Sequence, residues 1–394
     1  MTSNIFVRLA SKLKRMTKAD QSSREMENNC KSLLFHREKL LSAFPATVLN
    51  NSNNVDTDLK LVERIIAAYQ EANKADLGDS MWKVFFGSYH NAIHEELMNG
   101  RVETVAKIFR DPGESDLFYG FDVLTKSHQG IFNTDRVRDP YARLCLDGLV
   151  RFAEATGVSP IDNPETWSAR DGNMLKTEEV LAKLSNKCWP FSVPNPFPAE
   201  LGLGTSRGIV SYRVPQALYQ AWRIKQLVKG IDNPRILEIG AGLGRTAYYA
   251  NELGLKNYSI VDIPITAASQ AYFLGRTLGE NNIYLDGEPT QESAQKVKIL
   301  SPQTFINETK AYDLILNADS LTEMDLSTAK AYWQKIKSST GTFLSINHEA
   351  NSFCVQDLIA EDLPNLEVNR CPAWMRRGYV EELIKIKPHS SNHH

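Results

Sequence analysis

The sequence predicts an α/β protein: a doubly wound sheet in the C-terminal half, preceded by a mainly α-helical N-terminal domain. Three observations carry this. From Arg235 onward, short apolar strand runs alternate with helical periodicity, the pattern of an open, mainly parallel sheet covered on both faces. A glycine turn, Gly240-Ala-Gly242-Leu-Gly244, separates the first such strand from the first such helix. Before about residue 188, apolar residues recur at three- and four-residue spacing with few alternating runs, which is helical texture.

Composition bounds the rest. A chain of 394 residues suggests two domains at about 100–200 residues each. With 42% hydrophobic and 23% charged residues it has the make-up of a globular protein with a sizeable core. A net charge of −2 provides no global basic field, so no nucleic-acid partner is expected. No apolar run approaches the roughly 18–20 residues of a membrane span. The cysteines (Cys30, Cys145, Cys188, Cys354, Cys371) are scattered and form no C-x-x-C, which fits a reduced, cytoplasmic setting rather than a disulfide framework or zinc site. Apolar residues after Met1 are broken by Arg8, Lys12 and Lys14, so no secretory core is expected.

Taken in order, residues 1–20 form a basic N-terminus, read as a solvated, partly ordered end with weak peripheral membrane contact as the alternative. Residues 21–187 form the helical domain. Leu59, Leu61, Val62, Ile65, Ile66 and Tyr69 mark one helix, Met81 to Leu97 another, Val102–Phe109 a third and Arg138–Glu154 a fourth. His90 and His94 have metal-ligand spacing, but the H-E-x-x-H pattern is absent and helix packing is the expected role. In 188–210, Pro190, Pro194, Pro196 and Pro198 forbid a regular helix, making this a connector. Residues 211–394 form the fourth segment, the α/β domain. Its expected strands are Arg235–Ile239, Asn257–Val261, Ile283–Leu285, Val297–Leu300, Tyr312–Leu316 and Thr342–Asn347, closed by a hairpin of Glu367–Arg370 with Tyr379–Ile386. Helices are expected from Arg245, over Thr266–Gly279 and over Ser327–Lys337.

The chemistry is concentrated in RILEIGAGLGRTAYYANELGLKNYSIVDIP (Arg235–Pro264). The glycines allow a tight turn and close approach of a ligand to the backbone. Free N–H groups at the helix start can hold a polar ligand. Asp262, at the tip of the second strand, can accept hydrogen bonds from both hydroxyls of an adenosine ribose. The spacing is G-x-G-x-G rather than the dinucleotide G-x-G-x-x-G, and Glu238 precedes it. E-x-G-x-G-x-G followed by a strand ending in Asp resembles motif I and its follow-on in class I (Rossmann-like) S-adenosylmethionine-dependent methyltransferases. Carboxylates such as Glu238 and Asp262 suit a cationic sulfonium better than a pyrophosphate, and no G-x-x-x-x-G-K-[ST] loop is present. Glu238, Gly240, Ala241, Gly242, Gly244, Asp262 and Ile263 are the expected cofactor residues, with Asn317 meeting the methionine amino group and Arg213 its carboxylate.

In that architecture the acceptor reacts above the fourth and fifth strands, here Asn317-Ala-Asp319-Ser-Leu-Thr-Glu323 and Asn347-His348-Glu349. His348 is the expected base, because imidazole accepts a proton near neutral pH. Asp319 and Glu323 are alternatives that could orient it; the trio would permit a divalent metal, but nothing in the spacing demands one and none is predicted. Tyr212, Asn347, Trp374 and Arg376 are expected to contact the acceptor, aromatic faces suiting sugar rings and arginines acidic groups.

The stretches ILEIGAGLGRTAYYA, YSIVDIPITAASQAYFLGRTLGE, YDLILNADSLTEM and FLSINHEA, with the Trp82 region and LFYGFD (Leu117–Asp122) upstream, resemble the sugar O-methyltransferase family of bacterial surface-glycan gene sets. The resemblance implies methyl transfer from S-adenosylmethionine to a sugar hydroxyl of a glycan or its precursor, with S-adenosylhomocysteine as product. A methyltransferase for another small molecule and a non-catalytic binding module are the alternatives, and a homo-oligomer is compatible with either.

Overall fold

A computed structural model describes residues 2–36, 46–48, 58–72, 81–132, 134–161, 175–289, 295–363 and 366–386; the side chains of 2–17, 46–48, 81 and 82 lie outside that description. So do the basic side chains expected at the N-terminus and the side chain of Trp82. The described helices are α1 (Thr2–Leu33), α2 (Leu59–Ala72), α3 (Met81–Phe85), α4 (Asn91–Met98), α5 (Val102–Arg110), α6 (Lys126–Phe132), α7 (Asp135–Ala155), α8 (Thr177–Lys187), α9 (Arg213–Leu227), α10 (Arg245–Glu252), α11 (Pro264–Leu278), α12 (Pro302–Asn307), α13 (Leu326–Ser339) and α14 (Val355–Asp362). The described strands are β1 (Ala46–Val48), β2 (Leu201–Thr205), β3 (Gly208–Val210), β4 (Ile236–Ile239), β5 (Tyr258–Val261), β6 (Ile283–Leu285), β7 (Val297–Leu300), β8 (Leu314–Ala318), β9 (Thr342–His348), β10 (Val368–Pro372) and β11 (Tyr379–Lys385).

The chain divides into two compact units that interleave in sequence. One comprises Met1–Ser52, Pro112–Asp116 and Val123–Pro215; the other comprises Asn53–Asp111, Leu117–Asp122 and Gln216–His394. This differs from the contiguous division expected at 188–210: α2 to α5 group with the sheet rather than with α7 and α8. Hydropathy periodicity shows that a helix buries one face, but not which partner covers it.

In the first unit, α7 carries a buried polar face. Asp147 pairs with Arg151 at 2.8 Å and accepts the backbone N–H of His36 at 2.9 Å; Glu154 meets the His36 ring at 3.0 Å. Strands β1, β2 and β3 form an antiparallel sheet. The β2–β3 hairpin was missed in the sequence because Leu-Gly-Leu-Gly-Thr reads as a loop. Gly202 is needed there: a Cβ would lie 2.4 Å from the Val210 carbonyl oxygen of the neighbouring strand, a close approach only glycine allows.

In the second unit the sheet order is β10-β11-β9-β8-β4-β5-β7-β6, with β11 antiparallel to both neighbours and the other pairings parallel. From β4 to β9 a helix separates each strand from the next except at β6 and β7, which follow one another with no described helix between them, and helical cover suits apolar strand runs of this kind. Leu237, Ile239, Val261, Ile315 and Phe343 pack with Trp333, Ile336, Leu358 and Ile359 from α13 and α14; burying each large side chain contributes about 1.5–3 kcal/mol. Caps set the helix starts: Ser301 accepts the Thr304 N–H at α12, and Asp325 accepts the Thr328 N–H at α13.

From β4 the chain passes through β5 to the edge strand β6, steps back to β7 between them, then crosses to β8 on the other side of β4. That reversal is the topological switch point, outside whose strand ends ligands bind in open α/β sheets. In register, Ile239 lies opposite Val261 and Asn317, so Gly240, Asp262 and Ala318 emerge side by side. Among the described residues, no helix is long and apolar enough to cross a membrane.

Candidate functional site

The glycine turn is built as its spacing demands, and its glycines do different work. Gly240 has φ +73°, and a Cβ there would lie 2.0 Å from Ser320 Oγ. Gly242 has φ +55°, and a Cβ there would meet nothing within 4 Å. The turn is therefore packed against β8 at one end and open at its middle. Gly244 starts α10 with no side-chain cap, so the first N–H groups of that helix are not satisfied by a capping side chain.

Asp262 is the hub. Its Oδ2 accepts the Ala241 N–H at 3.0 Å and the Gln270 amide at 2.6 Å, and its Oδ1 accepts the Ile263 N–H at 2.8 Å. Gln270 also donates to the Gly242 carbonyl at 3.0 Å, stapling carboxylate to turn. A carboxylate offers about four acceptor positions, and three are taken. One position on Oδ1 remains for a ligand hydroxyl, rather than the two expected from the sequence. The Ala241 and Ile263 N–H groups, spent on Asp262, hold it rather than a ligand. Burial pushes Asp262 up to about 7, against these N–H donors, which favour its charged form.

Glu238 is turned into the protein. It is buried, accepts the Tyr258 hydroxyl at 2.8 Å, and lies beside the Thr246 hydroxyl. Thr246 gives its own proton to Gln220 at 2.5 Å. Burial, with a smaller contribution from Asp262, raises Glu238 to about 7. A cleft adjoins Asp262, lined by Pro264, Ala267, Ala268 and Ala271 of α11, by Ile65, Ala68, Tyr69 and Ala72 of α2, and by Leu285, Asp286, Ile299, Leu300 and Ser301. The contribution of α2 was not legible in the sequence, since nothing in its periodicity names the surface it faces.

At the ends of β8 and β9 the expected residues divide. Asn317 is fully buried: its amide donates to the Ile239 carbonyl (3.0 Å) and Ser320 (2.6 Å), and its oxygen accepts from Leu321 N–H (3.2 Å) and Asn347 (2.9 Å). Asn347 is also buried, donating to Asn317 and to Ser345 at 2.9 Å. Both amides bracket strands together, and neither side chain presents a donor to a ligand here.

Asp319, His348, Glu323 and Arg376 do come together. Asp319 holds a left-handed conformation at φ +71°, uncommon for a residue with a side chain and frequent at functional sites. It accepts Arg376 Nη1 at 2.6 Å and the Tyr379 hydroxyl at 2.8 Å. The Arg376 guanidinium stacks 3.7 Å over the Tyr379 ring, and His348 Nε2 is 3.7 Å from Asp319 Oδ1. Tyr379, read from sequence only as a strand residue, is a full member of the cluster. Trp374 is half-buried on the same hairpin. Tyr212 and Arg213 lie in the first unit, with the Arg213 guanidinium 5.9 Å from the Tyr212 ring.

The Ala350 N–H donates to His348 Nδ1 at 3.2 Å. A neutral imidazole has one lone pair, so Nε2 carries the proton and faces Asp319 as a donor. This bears on a metal as well. One ligand atom each from Asp319, Glu323 and His348 lies within 4.8 Å of the others, close enough to hold a cation. Coordination through Nε2 would put a proton on Nδ1 against the Ala350 N–H, and Arg376 already neutralises Asp319. The donor set fits a metal poorly.

No protein-family model matches the chain, and no curated protein matches it. Among solved structures, the glycopeptide N-methyltransferase MtfA complexed with S-adenosylmethionine is similar at 12% identity, covering 43% of this chain and 94% of that one, with a TM-score of 0.32. Magnesium protoporphyrin IX methyltransferase from Synechocystis PCC 6803, with bound S-adenosylmethionine, is similar at 12% identity, covering 44% and 81%, with a TM-score of 0.33. A putative RNA methyltransferase from Pyrococcus horikoshii is similar at 15% identity, covering 44% and 85%, with a TM-score of 0.30. The fold assignment rests on the strand order and switch point of this chain: an α/β, doubly wound, Rossmann-like sheet preceded by a helical N-terminal region.

Proposed function

We propose that this chain is a cytoplasmic S-adenosylmethionine-dependent O-methyltransferase acting on a saccharide hydroxyl of a bacterial surface glycan or its precursor. The observation that carries the cofactor reading is the convergence on Asp262. The open middle of the glycine turn, one unfilled acceptor position on Oδ1 and a cleft walled by alanines and proline all adjoin that carboxylate. A nucleoside needs such a site: a hydroxyl ligand for the ribose and a flat apolar slot for the base. Among the described residues no lysine or arginine lines the cleft, which suits a cation better than a pyrophosphate. The saccharide comes from the sequence resemblance.

S-adenosylmethionine would supply a methyl group activated by a positive sulfur. The protein must then hold the acceptor oxygen in line with that methyl and receive the hydroxyl proton. Asp319 and His348, at adjacent strand ends, are the groups for this. As placed, His348 Nε2–H is a donor that can hold the acceptor oxygen, whereas Asp319 can take the proton with no change of tautomer. For His348 to act as the base, the imidazole must give up its contact with the Ala350 N–H. Arg376 and Tyr379 fix the Asp319 carboxylate, and Glu323 lies beside it.

The test is calorimetric titration of the purified chain with S-adenosylmethionine, followed by mass detection of methyl transfer to a panel of nucleotide-activated sugars, oligosaccharides and small phenols and amines. Binding abolished by Asp262→Ala, with methylated sugar as product, supports the proposal. A folded wild-type protein that binds no S-adenosylmethionine removes the cofactor reading; methylation confined to the phenols or amines removes the saccharide.

A further inference from the structure

The LFYGFD segment, Leu117–Asp122, lies between α5 and α6 in sequence. It groups with the sheet unit, although its neighbours on both sides in sequence group with the other. Its last residue, Asp122, ends 2.5 Å from Arg245 Nη1, with the carboxylate 3% and the arginine side chain 11% exposed. Arg245 is the first residue of α10, directly after Gly244 and three residues after the open Gly242. Its guanidinium also lies 5.7 Å from the Phe273 ring of α11, so it is fixed on two sides.

A cation in this place is unusual. Helix N-termini carry partial positive charge and favour anions, so an arginine in the first turn is unfavourable unless neutralised. Left with its charge uncompensated, Arg245 would add a full positive charge beside the turn to which the proposed cofactor brings a positive sulfur. With little water around the pair, that charge would be weakly screened.

We infer that the Asp122–Arg245 pair is a positioning and charge-balancing element of the cofactor site, holding the start of α10 over the glycine turn while keeping the net local charge near zero. The inference rests on the S-adenosylmethionine reading. In it, Asp122 touches no ligand; it acts through Arg245. The pair thereby sets how strongly the site distinguishes a sulfonium from the neutral thioether left after transfer.

Opposite charge changes therefore have opposite effects. Asp122→Asn leaves an arginine without its counter-charge and is expected to weaken S-adenosylmethionine by about 10- to 100-fold, the range over which removing an ionic partner commonly acts. S-adenosylhomocysteine should lose several-fold less, so their affinity ratio shifts toward the product. Arg245→Gln removes the positive charge while keeping the Asp122 carboxylate and should shift the ratio the other way. Asp122→Glu, which keeps the charge, should stay near the wild-type ratio. Calorimetric titration of both ligands against the wild type and the three variants reads this, with thermal melting confirming that each is folded. A role in stability alone would weaken both ligands equally and leave the ratio unchanged in every variant; that result overturns the inference. If Asp122→Asn does not fold, the Arg245→Gln and Asp122→Glu ratios decide it by the same signs. Wild-type protein that binds neither ligand overturns the cofactor reading itself, and this inference with it.

Discussion

Replacing Glu238 by Gln should stabilise the unliganded protein, and the gain should depend on pH in a defined way. Glu238 is buried between the Tyr258 and Thr246 hydroxyls, with no cation among the described residues to offset its burial and with Asp262 near enough to oppose its ionisation. Burial lifts its carboxyl from 4.5 to about 7; at 1.36 kcal/mol for each tenfold change in proton affinity, that corresponds to about 3 kcal/mol. A group raised on folding contributes its full stability below its unfolded value and loses it as pH climbs to the folded one. Below about pH 4 the wild type and Glu238→Gln should thus be equally stable, because both side chains are neutral. Between about 4.5 and 7 the unfolded wild type gives up a proton that the folded one retains, and the wild type falls behind. Above about pH 7 the glutamine should lead by about 3 kcal/mol. The amide keeps the geometry: its oxygen accepts from Tyr258 and its NH2 group faces Thr246. Urea unfolding at intervals from pH 4 to 8 measures the difference. A gap that stays constant across that range, or a glutamine variant less stable at pH 8, would refute the reasoning. Cofactor affinity should move the other way, since an ionised carboxylate beside the turn favours a cationic ligand; stability forgone at a site of this kind is common.

Four further outcomes follow from the geometry. Gly240→Ala forces a Cβ into Ser320 at φ +73° and should cost at least about 2 kcal/mol in thermal or urea unfolding. Gly242→Ala, at φ +55° with open space around it, should cost only about 1 kcal/mol yet lower S-adenosylmethionine affinity more than tenfold, because its methyl group fills the ligand side; unchanged affinity would contradict the site. Asp319→Asn should leave cofactor binding intact and reduce turnover by about 10²–10⁴-fold, with His348→Gln losing less, as a donor role implies; the reverse ranking in single-turnover rates would restore His348 as the base. Asp58 accepts from Arg110 and, at 2.6 Å, from Tyr272; Asp58→Ala takes this buried carboxylate from the half-buried Arg110 and from the Tyr272 hydroxyl and should cost about 1–3 kcal/mol of stability, measured by urea unfolding.

The glycine turn, its acidic partner and the order of strands and helices were legible because each is a local matter. Backbone strain at Gly240 excludes a side chain wherever the strand goes next, and a parallel strand buried on both faces must be apolar along its length. The same locality explains the misses. Asn317 and Asn347 look like ligand groups in sequence because polar residues at strand ends usually face solvent. In the fold they face each other across β8 and β9: all four bonding positions of the Asn317 amide are taken, and both N–H groups of Asn347 are spent on Asn317 and Ser345. Tyr379 and Gln270 were invisible because their partners lie 60 and 8 residues away and follow no motif spacing.

By itself, then, the sequence determined that a glycine turn with an acidic partner stands at the carboxyl edge of a doubly wound sheet, since turn chemistry and hydropathy period act within a few residues. Only the tertiary structure decided which of the polar groups at that edge remain available. It made Asn317 and Asn347 into brackets, turned Glu238 inward, drew Arg376 and Tyr379 onto Asp319, and brought α2 to the wall of the cleft. Those outcomes depend on which surfaces meet across long stretches of chain, and burial then spends each polar group on the nearest partner before any ligand arrives.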